Sequence, residues 1–132
     1  MIIYAFYGCG KTRYCKTHND GIDLDAHIYH FMRESLTKSY ADYVNEMDND
    51  DLYIFVNQYV PNIRYAVFPA NFERHIVKIE ERKQGNFIPT KDEYEDMIDR
   101  FERENVPIIY LGDNDYLSNL LILQENIGNP TI

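Results

Sequence analysis

The sequence predicts an α/β protein, a three-layer sandwich with a mostly parallel five-stranded sheet, in a single domain over residues 1–132. Two observations point there. Five short segments are apolar without alternation, as strands buried on both faces are. Segments of helical period separate most of them, as the crossovers between parallel strands require.

Ile2 to Tyr7 is the first strand, β-branched and aromatic, ended by Gly8. Lys11 to His18 has few breakers and suits a short helix, and Asn19-Asp20-Gly21 signals a turn. Ile22 to Leu24 makes a clipped second strand. From Ala26 the period becomes helical: Ile28, Met32, Leu36, Tyr40 and Val44 recur every fourth residue, predicting one amphipathic helix to about Asp48. Leu52–Val56 and Ile63–Phe68 are the third and fourth strands, joined by a brief connection through Pro61. Pro69 closes the fourth strand, and Asn71 can cap a helix running to about Lys83, where Gly85-Asn86 breaks it. Thr90 with Glu93 is a capping box for a helix carrying Tyr94, Met97, Ile98 and Phe101 on one side. Pro107–Leu111 is the fifth strand, Gly112-Asp113-Asn114 opens a last helix through Leu123, and the tail frays from Gly128. No repeat, low-complexity segment or interdomain linker interrupts this order.

Composition narrows the function. The net charge of −9 argues against a nonspecific grip on nucleic acid, which needs surplus Lys and Arg. An anionic small ligand stays compatible with it, because a local site can be positive on an acidic protein. Cys9 and Cys15 alone make neither a disulfide framework nor a zinc pattern. The apolar start is short and lacks a basic flank, and no stretch approaches bilayer-spanning length. A cytoplasmic protein with no membrane association is the expectation.

The segment Ala5-Phe-Tyr-Gly8-Cys9-Gly10-Lys11-Thr12 has the order of a phosphate-binding loop: strand, glycine-rich turn, lysine, hydroxyl, helix. The glycines let successive N–H groups face phosphate, and the helix start adds partial positive charge. Lysine reaches the outer phosphates and the hydroxyl binds magnesium. Gly8, Cys9, Gly10, Lys11, Thr12 and the following Arg13 are therefore the candidate nucleotide-binding residues. Ala5 stands where the first glycine is usual. The alternative is a plain strand-to-helix turn with an incidental Lys-Thr.

On this loop the chain resembles P-loop NTPases of the nucleoside- and nucleotide-kinase branch. It is similar to short kinase-like P-loop proteins often encoded by bacteriophages, in which a GKT loop is followed by an acidic segment, here Asp23-Leu24-Asp25. The later YAVFPA and IIYLGDNDYL stretches fit the fourth and fifth strands of that pattern. The resemblance implies ATP or GTP with Mg2+ as cofactors, a small phosphate acceptor, and the cytoplasm of a cell or an infected host. It implies catalytic roles for Lys11, Asp25 and Arg82, and magnesium contacts from Thr12, Asp23 and Asp25. Asp25 can equally cap the helix that follows it. Asn57, after the third strand, departs from the acidic residue many P-loop enzymes carry there.

Arg74, Lys78 and Arg82 are four apart and share a helical face, with Lys83 beside them. The resemblance makes the segment at about 71–90 a reduced lid whose Arg74 and Arg82 neutralise phosphoryl charge. Glu73, Glu80 and Glu81 are interleaved, so a merely solvated face is the competing reading. His27 and His30, with Arg33 a turn later, lie beside the presumed site, but two histidines without a third ligand make a poor metal signal. Thr90-Lys91-Asp92 is read as a cap, not as a guanine-specificity motif. Cys9 is read as a small loop residue, not a nucleophile. The leading function is a small ATP-dependent phosphotransferase. The alternative is a catalytically reduced nucleotide-binding or host-interaction protein.

Overall fold

The computed structural model describes residues 1–24, 39–49, 51–82, 88–112 and 117, with backbone alone for 11–13 and 82. Five strands form one sheet: β1 (Ile2–Ala5), β2 (Gly21–Asp23), β3 (Tyr53–Val56), β4 (Ile63–Pro69) and β5 (Ile108–Leu111). Their order is β2-β3-β1-β4-β5. Every pairing is parallel, so the expected sheet is present and wholly parallel. Four helices are described: α1 (Lys11–Thr17), α2 (Tyr40–Met47), α3 (Phe72–Arg82) and α4 (Lys91–Arg103).

The central place of β1 explains its composition. Ile2, Ile3, Tyr4 and Ala5 are all buried, since each strand face is covered. Alternation sends Tyr4 and Phe6 to one face and Ile3 and Ala5 to the other. On the first face Phe68 packs against Tyr4 (5.3 Å between ring centroids), Phe6 (5.7 Å), Tyr94 (5.8 Å) and Phe101 (6.0 Å). On the second face Tyr14 of α1 meets Phe55 edge-on at 5.3 Å. The β1-to-β2 connection and the β4-to-β5 connection run in opposite directions along the sheet. Their helices accordingly lie on opposite faces, as crossovers of one hand require.

The connection from β3 to β4 crosses over β1 with residues 57–62 and no helix. Register makes so short a crossover sufficient. Val56 lies level with Tyr4 and Ile63 level with Ile2, so the chain descends only two residues, about 7 Å, while moving two strands, about 10 Å, sideways. This strap is pinned on both sides. Asn62 donates to Asn45 Oδ1 (2.7 Å), and Asn45 donates to Pro61 O (3.3 Å). The Arg100 guanidinium stacks over Tyr59, 4.2 Å from the ring centroid.

Local signals hold in most places, with element ends shifted by one or two residues and one larger difference. Asn71 Oδ1 accepts from Arg74 N (3.0 Å), and Thr90 Oγ1 accepts from Glu93 N (3.1 Å), so both expected caps are made. β1 ends at Ala5 rather than Tyr7, although Phe6 N still reaches Val67 O at 3.0 Å. β2 begins one residue early, at Gly21. The single helix expected from Ala26 to Asp48 is not continuous. Ser39 is extended (φ −68, ψ 159) and starts α2 afresh, its side chain accepting from Asp42 N. A four-residue apolar period is blind to this, whereas a serine that satisfies an orphaned amide defines a helix start. Residues 25–38, and the last helix expected after Gly112 apart from Leu117, lie outside the described residues.

Two predictions follow from this packing. Phe101 is wholly buried against Tyr4 and Phe68, so Phe101→Ala should destabilise the fold by about 3–5 kcal/mol in urea denaturation. Burial raises the Tyr94 phenol above its ordinary pKa, and its hydroxyl donates to Pro69 O at 2.6 Å. The unfolded chain therefore ionises first, and Tyr94's contribution is present below about pH 10 and lost as pH rises beyond it. Tyr94→Phe should be less stable than wild type by about 1 kcal/mol at pH 7, and the gap should narrow as pH rises above about 10.

Candidate functional site

All five strands end on the same edge of the sheet. There β1 sends its chain toward β2, and its neighbour β4 sends its chain toward β5. In open parallel sheets the crevice where adjacent connections diverge is the place where ligands bind. The residues bordering it are the loop 6–10 after β1 and the start of α3 after β4.

The loop is built from two glycines with different tasks. Cys9 N donates to Phe6 O (3.2 Å), closing a four-residue turn whose third residue, Gly8, has φ +79, as a type II turn demands. Gly10 follows at φ +99, ψ 20, and is the N-cap of α1. It brings no side chain to cap the helix, and the first turn of α1 holds no acidic residue. The first intrahelical bond is Tyr14 N to Gly10 O, so the amides of residues 11–13 have no intrahelical acceptor. A helix start left this way by its own sequence is suited to an anion. Cys9, between the glycines, is buried, and neither cysteine forms a disulfide.

Gly8, Cys9 and Gly10 thus form the turn, and Lys11, Thr12 and Arg13 occupy the first turn of α1. Asp23 is the last residue of β2, in register with Phe55 and through it with Ile3. That sets it two strands, about 10 Å, to the side of β1 on the same edge. Its Oδ1 is buried. Asp25, His27, His30, Arg33 and Lys83 lie outside the described residues. Asn57 directly follows β3. In α3, Arg74 is exposed, Lys78 is half-buried and Arg82 is the last residue. Among the described residues no group of three or more His, Cys, Asp or Glu side chains is placed to hold a metal ion.

Two contacts at this edge escaped sequence reasoning. The His75 imidazole Nε2 donates to Tyr7 O, from α3 onto the loop. Tyr40 donates its hydroxyl to Leu24 O, from the first turn of α2 onto the exit of β2. A signal for the first existed. Phe72, His75, Ile76 and Ile79 follow the i, i+3, i+4, i+7 pattern of a packed stripe, interleaved with Arg74, Lys78 and Arg82. The α3 helix is also tied to α4. Lys91 Nζ lies 3.0 Å from Glu73 Oε1, which holds the Glu73 carboxyl below its usual range and the Lys91 ammonium above its own.

Comparison with protein-family models, curated proteins and solved structures finds no match. Among the described residues no helix is long and apolar enough to cross a membrane.

At Gly10 an added Cβ would find only ordinary contacts, 3.9 Å from Leu117, so its constraint is the backbone angle. Gly10→Ala should lower stability by about 1–2 kcal/mol in chemical denaturation, without loss of the helical circular-dichroism signal.

Proposed function

We propose that this chain is a nucleotide-binding P-loop protein, acting as a small phosphotransferase of the nucleoside- or nucleotide-kinase type on ATP or GTP. The observation that carries the reading is the position of Gly8-Cys9-Gly10-Lys11-Thr12. This stretch joins the central strand of a parallel sheet to a helix start without a side-chain cap, beside the crevice between β1 and β4. The residues fit a phosphate chain. Two glycines at positive φ allow amides to converge, and the amides of residues 11–13 add donors along the helix axis. Lys11 would bind the outer phosphates and stabilise charge developing on the transferred group. Thr12 would hold magnesium, with Asp23 and Asp25 orienting its water shell or the acceptor hydroxyl. Magnesium, when bound, neutralises phosphate charge. Arg82 would approach from the α3 end of the crevice.

One observation favours the second reading, a nucleotide-binding module without turnover. The crossover from β3 to β4 is a six-residue strap over residues 57–62, and Asn57 brings no carboxylate to the end of β3.

Titration calorimetry with Mg-ATP and Mg-GTP tests both readings. Wild type should bind, and Lys11→Ala should bind at least about tenfold more weakly. Phosphate transfer to a panel of nucleosides and nucleotides should occur with wild type and fail with Asp25→Asn at unchanged nucleotide affinity. Absence of binding by wild type rejects nucleotide binding altogether. Lys11-dependent binding with no transfer to any acceptor selects the module.

A further inference from the structure

The α3 helix is docked on the loop through His75 and Ile79. His75 Nε2 donates to the Tyr7 carbonyl, and the imidazole lies 6.1 Å from the Phe6 ring. A Cβ built on Gly8 would stand 2.9 Å from Ile79 Cγ1 and 3.0 Å from His75 Nε2, so any larger residue would have to displace these two side chains. Gly8 therefore serves helix docking as well as the turn. The helix is itself anchored. Asn71 caps it, Phe72 packs on Tyr94 with ring centroids 5.1 Å apart, and Tyr94 is bonded to Pro69 O. The start of α3 thus packs against the core through Phe72.

The consequence for the loop comes from peptide planarity. In a trans peptide the C=O and N–H vectors are opposed, so fixing the Tyr7 carbonyl toward α3 fixes the Gly8 N–H away from it. A carbonyl accepts only from a protonated ring nitrogen, so Nε2 carries hydrogen in the docked state. We propose that His75 is a positioning residue of the phosphate loop: from α3 it holds the Tyr7–Gly8 peptide in the orientation the loop needs to receive the phosphates of a nucleotide. This rests on the phosphate-loop reading above. Touching neither phosphate nor acceptor, His75 acts through the backbone it holds.

The test compares wild type, His75→Gln and His75→Leu by calorimetric titration with Mg-ATP, Mg-ADP and AMP, at a temperature where urea denaturation shows each variant folded. Gln places an N–H at similar reach, so His75→Gln should bind ATP within about threefold of wild type. His75→Leu, with no donor, should bind about tenfold more weakly. The loss should grow from AMP to ATP, which a general loss of stability would not produce. A folded His75→Leu that binds ATP as tightly as wild type overturns the role of His75 and leaves the phosphate loop standing. If wild type binds no nucleotide, the phosphate-loop reading fails and this role fails with it. Should His75→Leu not fold, the imidazole 15N spectrum of wild type decides. A protonated Nε2 slow to exchange supports the assignment, and a neutral ring protonated only at Nδ1 overturns it.

Discussion

Phe68, wholly buried on β4, touches four rings: Tyr4 on β1, Phe6 just after it, and Tyr94 and Phe101 on α4. Much of the architecture depends on this cluster. It holds the two strands whose connections diverge, and it fixes the helix that covers them. Through Phe6 and Tyr94 it extends to α3, since His75 lies on the first and Phe72 on the second. The rings meet at tilted and edge-on angles, the arrangement in which aromatic quadrupoles attract rather than repel. In a chain with nineteen Phe and Tyr and no Trp, this is where a large part of the buried area is concentrated.

The loop after β1 inherits its shape from that cluster. Tyr4 and Phe6 are held against the sheet by Phe68, so the turn starts at Phe6 itself. On its far side α3 limits it, with His75 on the Tyr7 carbonyl and Ile79 against Gly8. The loop is thus set between a fixed strand and a fixed helix. A loop held on both sides in this way has little conformational freedom left to lose. A second reach of the same sort, Tyr40 to Leu24 O, steadies the exit of β2 beside the acidic segment.

The short strap between β3 and β4 has a cost and a use. It covers the sheet with six residues where a helix would normally lie, and so buries less surface. In exchange, Val60 is wholly buried and Tyr59 receives Arg100, so the strap fastens α4 over the sheet. The asparagine pair Asn45 and Asn62 closes it on the α2 side. A chain this acidic gains from such neutral hydrogen bonds, because they hold segments together without adding charge.

Much of the fold was legible in the sequence because its signals are local. Continuous apolar runs marked each strand to within two residues, and Asn71 and Thr90 announced their helices through side chains that satisfy nearby amides. The loop motif was legible for the same reason: its glycines and the following Lys-Thr are contiguous. The break at Ser39 was missed because apolar period reports burial rather than backbone continuity. What only tertiary structure decided was long-range. Strand order, the register that allows a six-residue crossover, and the docking of His75 on Tyr7, 68 residues earlier, follow from how rings pack around Phe68. In the sequence Gly8 reads as giving the turn its freedom, and the structure shows it at φ +79. The folded chain adds a second reason for glycine: a Cβ there would press on the Ile79 and His75 side chains of α3.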